Sequence, residues 1–578
     1  MPTARRVLLP LLTLACLVPA GPALAQGPLG PLNDLGALGQ GTGQTPDTVA
    51  TQKPPAPPLV AVPRAQCGPG AKPEPSVQGR VPAGSATDGL WCNVALLSHQ
   101  GTSGGFKVLR YVDAQGHECA YYDTALLAPL NALNLNSNGI GVVVLDMSDP
   151  AKPVQTALLT EPPMLSPHES LNLNTKRGLL AAVDGNPATY PGLFSIYDVH
   201  ADCRHPVLDA TQLVARFGHE SGFSMDGKTF YATGTAVQAI TAIDVTDPKA
   251  PHAIWQGNLL SHGMSLSDDG NRAYIADPTA RSMLILDTSQ IQARKPNPQA
   301  KEISRITWDS ASIPQNAIPF TENGKPYVLE FDEYNASTLG SGSPDAVGAA
   351  RIIDISNETA PRIIANIRLQ IDQPAEHAEF GGDPGADGSI HGGAQGYAAH
   401  YCNIPTRVDP KIVACSFIAS GLRIFDISDL TAPREIGYFV APTQARVENG
   451  GNASDFAMSQ PAFDTARHEI WFTDGTSGFY ALRVTNGVWP EAPKPAIAVR
   501  CATRRVFTIS LAHPRGDALR SAHVSVDGRR VRVRRAGGRW RAVIDLRGKA
   551  RKVVTVRVVG VTHRGRTVHQ TLRYRACG

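Results

Sequence analysis

The chain has few aromatic residues and, beyond its first 26 residues, no long hydrophobic run. Phe, Trp and Tyr make up 6% of its 578 residues. A membrane-spanning helix needs about 20 consecutive apolar residues, so residues 27–578 predict no transmembrane segment. The nine cysteines form no Cys-x-x-Cys pair, which argues against a zinc ribbon or finger. Among the repeat strands described below there is no HExxH sequence and no nucleophile elbow, so classical hydrolase chemistry is disfavoured.

The first residues resemble an export signal. Arg5 and Arg6 precede an apolar run over residues 7–18, and Ala23-Leu24-Ala25 offers a small-residue cleavage site. This pattern predicts a signal peptide over residues 1–25 that is removed on export. We therefore expect a secreted or extracytoplasmic, cell-surface protein.

Eight cysteines remain after Cys16 leaves with the signal, and export makes disulfides the expected state. Cys402 and Cys415 flank a predicted hairpin and face each other across it. Cys501 and Cys577 bracket the last eighty or so residues. The other four leave three possible pairings, of which we favour Cys67 with Cys92 and Cys119 with Cys203.

Residues 26–66 are rich in Gly, Pro, Thr and Gln. Such a segment offers too few apolar side chains to offset the entropy of ordering. We expect a flexible spacer.

A short β-branched strand followed by an acidic, Pro-containing turn recurs seven times. The clearest copy is Leu422-Arg-Ile-Phe-Asp-Ile-Ser-Asp429 with Pro433, and the last copy, over residues 479–485, lacks the acid. The acids that mark the first six copies are Asp146, Asp198, Asp244, Asp287, Asp354 and Asp426. The first three spacings, 52, 46 and 43 residues, are typical of propeller repeats with four antiparallel strands each. The longer spacings of 67 and 72 residues imply loop insertions in the fifth and sixth repeats.

These repeats predict a seven-bladed β-propeller over residues 67–486. The last repeat ends after its third strand, and residues 93–99 form an isolated strand near the start of the chain. We expect that N-terminal strand to complete the last blade and to close the ring, because closure removes two free sheet edges.

The recurring strand and its Asp-Ile-Ser-Asp-Pro-like ending resemble the LVIVD-repeat family of β-propellers, which occurs in exported and surface proteins of bacteria. The resemblance is clearest near residues 142, 240, 351 and 422. It implies the fold and carries no catalytic residues over to this chain.

The composition changes after a Pro-rich linker over residues 487–496. Residues 497–578 contain 21 Arg and Lys against three acids, a net charge of +18, whereas residues 1–496 carry −14. Alternating apolar residues predict a small β-sandwich there, similar to the immunoglobulin-like modules appended to bacterial exported proteins. Adhesion to an anionic envelope polymer or surface, docking on the acidic remainder of the chain and a soluble basic tail are all open. Nucleic acid is disfavoured by the shortage of aromatic residues.

Aligning the repeats on their hairpin turns brings several polar residues to one rim of the channel, at the starts of the innermost strands. These are His168, His219, His262, Gln315, His400 and Ser459. Glu169 and Glu220 directly follow two of these histidines. The ends of the second strands open on the same face and add Asp184, Asp277, Asp332, Glu333 and Asp474. A long insertion before the sixth repeat adds Asp383, Asp387 and His391.

Two interpretations of this rim are open. Four imidazoles with carboxylates suit copper, zinc or iron, so His168, His219, His262 and His400 are candidate metal ligands. Selenium-binding and methanethiol-oxidase-like proteins are similar in being seven-bladed propellers with histidine-bound metal, although this chain lacks their motifs beyond the fold. Alternatively, each histidine binds the backbone of a neighbouring blade and is purely structural.

The function expected from the sequence is an exported, non-catalytic propeller that binds a protein or small ligand at Glu169, Glu220, Gln315, Asp332 and Glu333. The alternative is a metal-dependent oxidoreductase that uses copper or zinc at the histidine rim.

Overall fold

A computed structural model gives the fold, and it describes most of the chain. The described residues are 43–124, 139–185, 192–234, 238–336, 343–379, 395–446, 451–490, 499–502, 504–513, 517–537, 539–548 and 553–576. The predicted signal peptide, Cys577 and the insertion residues Asp383, Asp387 and His391 lie outside them.

The chain divides into two compact units after Pro490, within the predicted linker. The first unit contains seven sheets of four or five strands, numbered here in chain order. Sheet 1 consists of Val108–Val112, Glu118–Asp123, Val142–Asp146 and Val154–Leu159. Sheet 2 consists of Asn172–Asn174, Leu179–Val183, Gly192–Asp198 and Val207–Ala215. Sheet 3 consists of Ser221–Phe223, Thr229–Thr233, Ile240–Asp244 and His252–Gly257.

The remaining sheets of this unit follow the same order, from the innermost strand outwards. Sheet 4 consists of Met264–Leu266, Arg272–Asp277, Ser282–Asp287, Lys301–Ile306 and Thr51–Gln52. Sheet 5 consists of Ile313–Glu322, Lys325–Glu333, Ala350–Asp354 and Arg362–Ile367. Sheet 6 consists of Cys402–Asn403, Ile412–Phe417, Gly421–Asp426, Arg434–Val440 and Leu90–Cys92. Sheet 7 consists of Ala462–Asp464, Glu469–Asp474, Gly478–Val484 and Val94–Gln100.

The few helices are short and lie between strands. They are Pro162–Leu165, Ser289–Gln292, Pro374–Glu379 and the 3-10 turn Gln370–Asp372. A two-stranded ribbon pairs Gln444–Ala445 with Ala453–Ser454.

The recurring acid of each repeat ends a third strand and caps the turn that follows. In six sheets its carboxylate accepts a hydrogen bond from the backbone N–H two residues later, at 2.7–2.9 Å. The side-chain-capped turn expected from the sequence is therefore confirmed. The third strand of each of these sheets also has a bulge against the fourth strand, and bulges increase local twist.

The sheets pack against one another in a closed series. Buried apolar clusters lie between each sheet and the next, and one of them joins sheet 7 to sheet 1 through Trp471, Phe479, Tyr122 and Leu145. Val94–Gln100 pairs antiparallel with Gly478–Val484. The β-propeller fold and its closure by an N-terminal strand are as expected.

Residues 43–66, which we call the strap, differ from the expected flexible spacer. The amide of Gln44 donates to the Gln256 carbonyl of sheet 3, and Thr51–Gln52 adds a parallel strand to sheet 4. Val62 donates its amide to Arg368 beyond sheet 5, and Pro63 accepts from Glu435 of sheet 6. For residues 43–66 the prediction was wrong, because backbone groups need no apolar side chains to pair with exposed sheet edges. Residues 26–42 lie outside the described residues, and for them the spacer stays a prediction.

Disulfide bonds join Cys67 to Cys92, Cys119 to Cys203 and Cys402 to Cys415. These are the favoured pairings. The expected Cys501–Cys577 bond falls on an undescribed residue and stays a prediction. In the described part of the chain, no helix has the length and apolar character needed to cross a membrane.

The second unit consists of two sheets around one apolar core. The larger sheet contains Val499–Ala502, Thr567–Ala576, Val553–Thr562, Leu519–Val526 and Arg529–Val531. The smaller sheet contains Val506–Ser510, Arg539–Asp545 and Val533–Ala536. This is a β-sandwich, and its likeness to immunoglobulin modules stays a prediction.

Candidate metal centre

Four histidines meet where the innermost strands of sheets 2, 3, 4 and 6 begin. His168, His219 and His262 form a chain of neighbouring rings with centroids 4.5 and 5.1 Å apart. His400 approaches from sheet 6. The alignment on hairpin turns therefore identified four residues that the fold brings together.

The carboxylate of Glu169 lies among all four imidazoles. Its Oε2 atom is 3.2 Å from Nε2 of His219 and 3.7 Å from Nε2 of His262. Its Oε1 atom is 3.3 Å from Nε2 of His400 and 4.0 Å from Nε2 of His168. One carboxylate thus faces the same ring nitrogen of every histidine.

Glu333, at the end of the second strand of sheet 5, approaches the same point. Its carboxylate is 3.4 Å from Nε2 of His262 and 3.1 Å from Nε2 of His400. Each of these six residues has 7% or less of its surface exposed. We call His168, Glu169, His219, His262, Glu333 and His400 the histidine centre.

Backbone carbonyls fix the orientation of two of the rings. Nδ1 of His262 donates to the Pro314 carbonyl at 2.9 Å, and Nδ1 of His400 donates to the Met458 carbonyl at 2.7 Å. A carbonyl only accepts, so Nδ1 carries the proton and Nε2 of the neutral ring presents a lone pair. That lone pair faces carboxylate oxygens, so a proton or a metal cation is needed between them.

Burial and mutual proximity set the protonation of the centre. Burial, aided by the neighbouring His219, lowers the pKa of His168 to about 3, so this imidazole is neutral at physiological pH. Burial opposes charge on His400, but the carboxylates of Glu169 and Glu333 raise its pKa to about 9. Burial would raise the pKa of Glu169, but the surrounding imidazoles hold it well below its usual range.

His219 lacks the backbone hydrogen bond that orients His262 and His400. Neither of its ring nitrogens makes a hydrogen bond of good geometry, although both are buried. An unsatisfied buried polar group costs about 1–3 kcal/mol. An imidazole whose buried nitrogens make no hydrogen bond is suited to coordinate an ion.

Two subsets of the centre meet the spacing that an ion requires. His168, Glu169 and His219 each offer a ligand atom within 4.8 Å of the others, and so do Glu169, His262 and Glu333. The donor set is imidazole nitrogen and carboxylate oxygen, which fits copper, zinc or iron.

A second polar layer lies next to the centre, towards the opposite face. Glu220 accepts a hydrogen bond from Nζ of Lys107 at 2.9 Å and another from the side-chain amide of Asn316 at 2.6 Å. Lys107 also lies 4.2 Å above the ring of Tyr401. Burial raises the pKa of Glu220 to about 7 although Lys107 opposes this shift. Glu220 therefore belongs to an ion pair rather than to the histidine centre.

The absence of a side chain at Gly263 makes room for this layer. A Cβ atom at residue 263 would collide with Oε2 of Glu220 and with the Gln315 carbonyl. Gln315 helps to position Glu169. Its side-chain amide donates to Oε2 of Glu169 at 2.6 Å and to the Tyr401 hydroxyl at 3.0 Å.

Asp332 was expected at the rim but lies elsewhere. Its carboxylate accepts from Arg351 at 2.9 Å and from the Ser312 amide at 3.0 Å. Neighbouring residues of a strand point to opposite faces, so Glu333 faces the centre and Asp332 faces away. Asp277 and Asp474 also have other roles, since Asp277 pairs with Arg305 and Asp474 caps the turn at Thr476.

Sequence reasoning missed Phe106 and Lys107. Phe106 packs its ring 4.2 Å from His168 and 5.3 Å from His400. The signal was present, because Gly105-Phe106-Lys107 of the first repeat aligns with Gly218-His219-Glu220 of the third. A search for histidine and carboxylate alone passes over this position.

Two stretches match catalytic motifs in sequence but do not have the structure that these motifs require. Gly222–Thr229 spell a phosphate-loop pattern but form the hairpin between Ser221–Phe223 and Thr229–Thr233 instead of a strand, loop and helix. Gly101–Gly105 spell a nucleophile-elbow pattern, yet Ser103 is buried and donates to the Thr124 carbonyl at 2.8 Å. Neither provides a nucleotide site or an exposed nucleophile.

A cavity of about 420 Å³ occupies the channel beyond the Lys107 layer. Its mouth lies at the hairpin turns, beside Lys176, Asp268 and Arg407. The Lys107–Glu220 pair lies between this cavity and the histidine centre.

Comparisons with known proteins bear on the fold alone. The model of the LVIVD repeat family matches residues 416–440, which confirms the resemblance seen in the sequence. A search of curated proteins finds no match.

Several solved structures align with the chain at low similarity. Hydrazine synthase of Kuenenia stuttgartiensis aligns at 14% identity with a TM-score of 0.41, over 67% of this chain and 97% of that one. The periplasmic gluconolactonase of Pseudomonas aeruginosa aligns at 14% identity with a TM-score of 0.40, over 67% and 96%. A functionally unknown protein of Desulfotomaculum acetoxidans aligns at 11% identity with a TM-score of 0.37, over 62% and 89%. Likenesses this distant carry no information about chemistry.

Proposed function

We propose that this protein is an exported, metal-dependent oxidoreductase whose histidine centre holds a copper ion. The observation that carries the proposal is the convergence of four imidazole Nε2 atoms on the carboxylate of Glu169, at 3.2–4.0 Å. His168, His219, His262 and His400 would supply nitrogen ligands, and Glu169 would supply oxygen. Copper binds such sites most tightly among the common divalent metals.

The purely structural interpretation of the histidines explains less of this geometry. It accounts for the Nδ1 bonds of His262 and His400 to backbone carbonyls. The same bonds are, however, what metal-bound histidines usually make with their second nitrogen. The structural interpretation leaves His219 without a buried hydrogen-bond partner and offers no reason for two carboxylates among imidazoles.

Burial of the centre favours electron transfer over hydrolysis. A hydrolase must bring the bond to be cleaved against the metal or its water, and here no ligand residue has more than 7% of its surface exposed. Bound copper supplies reversible one-electron chemistry. The protein would hold the ion with neutral imidazoles, orient two rings through the Pro314 and Met458 carbonyls, and exclude water with Phe106.

The proposal includes a location outside the cytoplasm. Three disulfide bonds support it, because such bonds persist in oxidising compartments. The amino-terminal signal pattern agrees with this location.

Copper-loaded mature protein, purified without an affinity tag, tests the assignment by electron paramagnetic resonance. We expect a Cu(II) signal with nitrogen hyperfine splitting that disappears on reduction and returns in air. Bound copper that gives no resonance signal, or a signal that does not change on reduction and reoxidation, would contradict the oxidoreductase assignment. The assignment would also be contradicted if protein isolated from its natural host contained zinc as the bound metal. The zinc result would leave the metal centre itself in place.

A further inference from the structure

The C-terminal sandwich presents one strongly cationic sheet face. Outward-facing residues of its five-stranded sheet include His523, Arg530, Arg557, His569 and Arg573, all exposed. We call these five residues the arginine face. The residues between them along the strands, among them Val524, Val556, Val558 and Leu572, point into the core, so alternation places the cations on one side.

Strand register brings these side chains together. Arg530 lies opposite Ser525, and Ser525 lies opposite Arg557 in the next strand. Val559 lies between His523 and His569. With strands about 4.8 Å apart, Arg530 and Arg557 are roughly 10 Å apart across the sheet, and Arg573 follows one strand further.

No acidic residue within this unit faces the three arginines. The sequence from residue 497 onwards contains three acids. Asp517 is buried and accepts from the Arg564 amide, Asp545 pairs with Arg547 on the smaller sheet, and Asp527 accepts from the Thr555 amide at the edge of the larger sheet. The face therefore has no neutralising partner of its own.

A shallow depression of about 350 Å³ lies in the middle of this face. It is lined by His523, Val524, Ser525, Arg530, Arg557 and Val559. The Arg530 guanidinium contacts Nδ1 of His523 on one side, and Arg557 lies on the other. The guanidinium groups of Arg530 and Arg557 thus approach the depression from two sides, which suits the tetrahedral oxygens of phosphate better than the two coplanar oxygens of a carboxylate.

We infer that the arginine face binds a linear phosphate-bearing polymer. Of the 21 basic residues from residue 497 onwards, 19 are arginine, the residue suited to phosphate recognition. A row of cations across several strands matches a repeating anion, whereas a single phosphate would need one site.

Two other classes of partner fit less well. Single-stranded nucleic acid needs aromatic side chains on which bases stack, but Phe507, Trp540 and Tyr574 belong to the core of the sandwich. A membrane surface is usually bound with apolar side chains that enter the interface, and the only apolar side chain in the depression with substantial exposure is Val559, at 38%.

The test measures binding of the full mature chain to long-chain inorganic polyphosphate at about 0.15 M NaCl. The variant R557S/R573S removes two cations from the arginine face. Its matched control, R534S/R541S, removes two exposed cations from the smaller sheet. We expect the first variant to weaken binding about tenfold or more and the control to weaken it about twofold or less.

Three further probes decide the class of partner. We expect weaker binding to polygalacturonate, to oligo(dT) and to vesicles of anionic phospholipid than to polyphosphate of equal charge. Equal losses in the two variants would overturn the proposed face, since net charge would then be responsible. Tighter binding to any of the three other probes would overturn the proposed ligand.

Discussion

At the scale of single residues, backbone conformation decides which side chains reach the histidine centre. His168 and Glu169 are neighbours on a strand start, where alternation would send them to opposite faces. His168 instead has a φ of 51°, a left-handed conformation that is uncommon outside glycine. Both side chains therefore reach the centre, which no sequence period predicts.

The same scale explains which residues the alignment of repeats brought together correctly. The four histidines were found because each follows a repeat boundary at a fixed offset from its hairpin turn. The carboxylates were assigned less well, because a partner on another strand decides the role of each one. Glu220 pairs with Lys107 and Asp332 pairs with Arg351, and these partners are 113 and 19 residues away in sequence.

The Lys107–Glu220 pair should be essential to stability. We expect Lys107→Met to lower the free energy of unfolding by about 3–5 kcal/mol, because it leaves a buried carboxylate without its cation. Chemical denaturation measures this loss. Adding Glu220→Gln should restore part of it by removing the charge. The exposed Lys176→Met serves as control and should change little. Equal stability of the Lys107 and Lys176 variants would contradict the buried pair.

At the scale of elements, the repeated strand and turn were predictable because their signal is local. The acid at each third-strand end bonds a backbone amide two residues away, so a short window of sequence contains both partners. The strap was not predictable in this way, since its partners are the outer edges of sheets 3 to 6. Gln44, for example, binds residues more than 200 positions away.

Asp198 shows what one capped turn contributes. Its carboxylate accepts from the His200 amide at 2.7 Å. We expect Asp198→Ala to cost about 0.5–1.5 kcal/mol of unfolding free energy, the usual net value of one hydrogen bond. Asp198→Asn retains an acceptor oxygen and should cost less. Thermal denaturation of both variants measures the difference, and a costlier asparagine variant would contradict the turn assignment.

Gln44 should anchor the strap to sheets 3 and 4. Its side chain donates to the Ala300 carbonyl at 2.7 Å and accepts from the Ala300 amide at 2.8 Å and from the Trp255 indole at 3.0 Å. We expect Gln44→Ala to speed hydrogen exchange at the Ala300 amide. The exposed Thr48→Ala is the matched control. Unchanged exchange at Ala300 would show that the strap is not held there.

At the scale of the whole molecule, closure of the series of sheets makes the centre possible. His168, His219, His262 and His400 come from four sheets, and Glu333 comes from a fifth. The innermost strands of a propeller line its axis. The short segments that lead into these strands carry the four histidines and therefore converge on one point. The repeat motif that identifies the fold thus forms the third strands and their turns. The residues of the histidine centre lie at the opposite ends of neighbouring strands.

The bound metal is the most direct test of this account. Mature protein loaded with copper and freed of excess ion should contain about one copper per chain by elemental analysis. The double variant H219Q/H400Q should retain less than about a tenth of that amount, whereas the exposed control H252Q should retain all of it. Wild-type protein that binds no copper, or a double variant that binds as much as the wild type, would contradict the account.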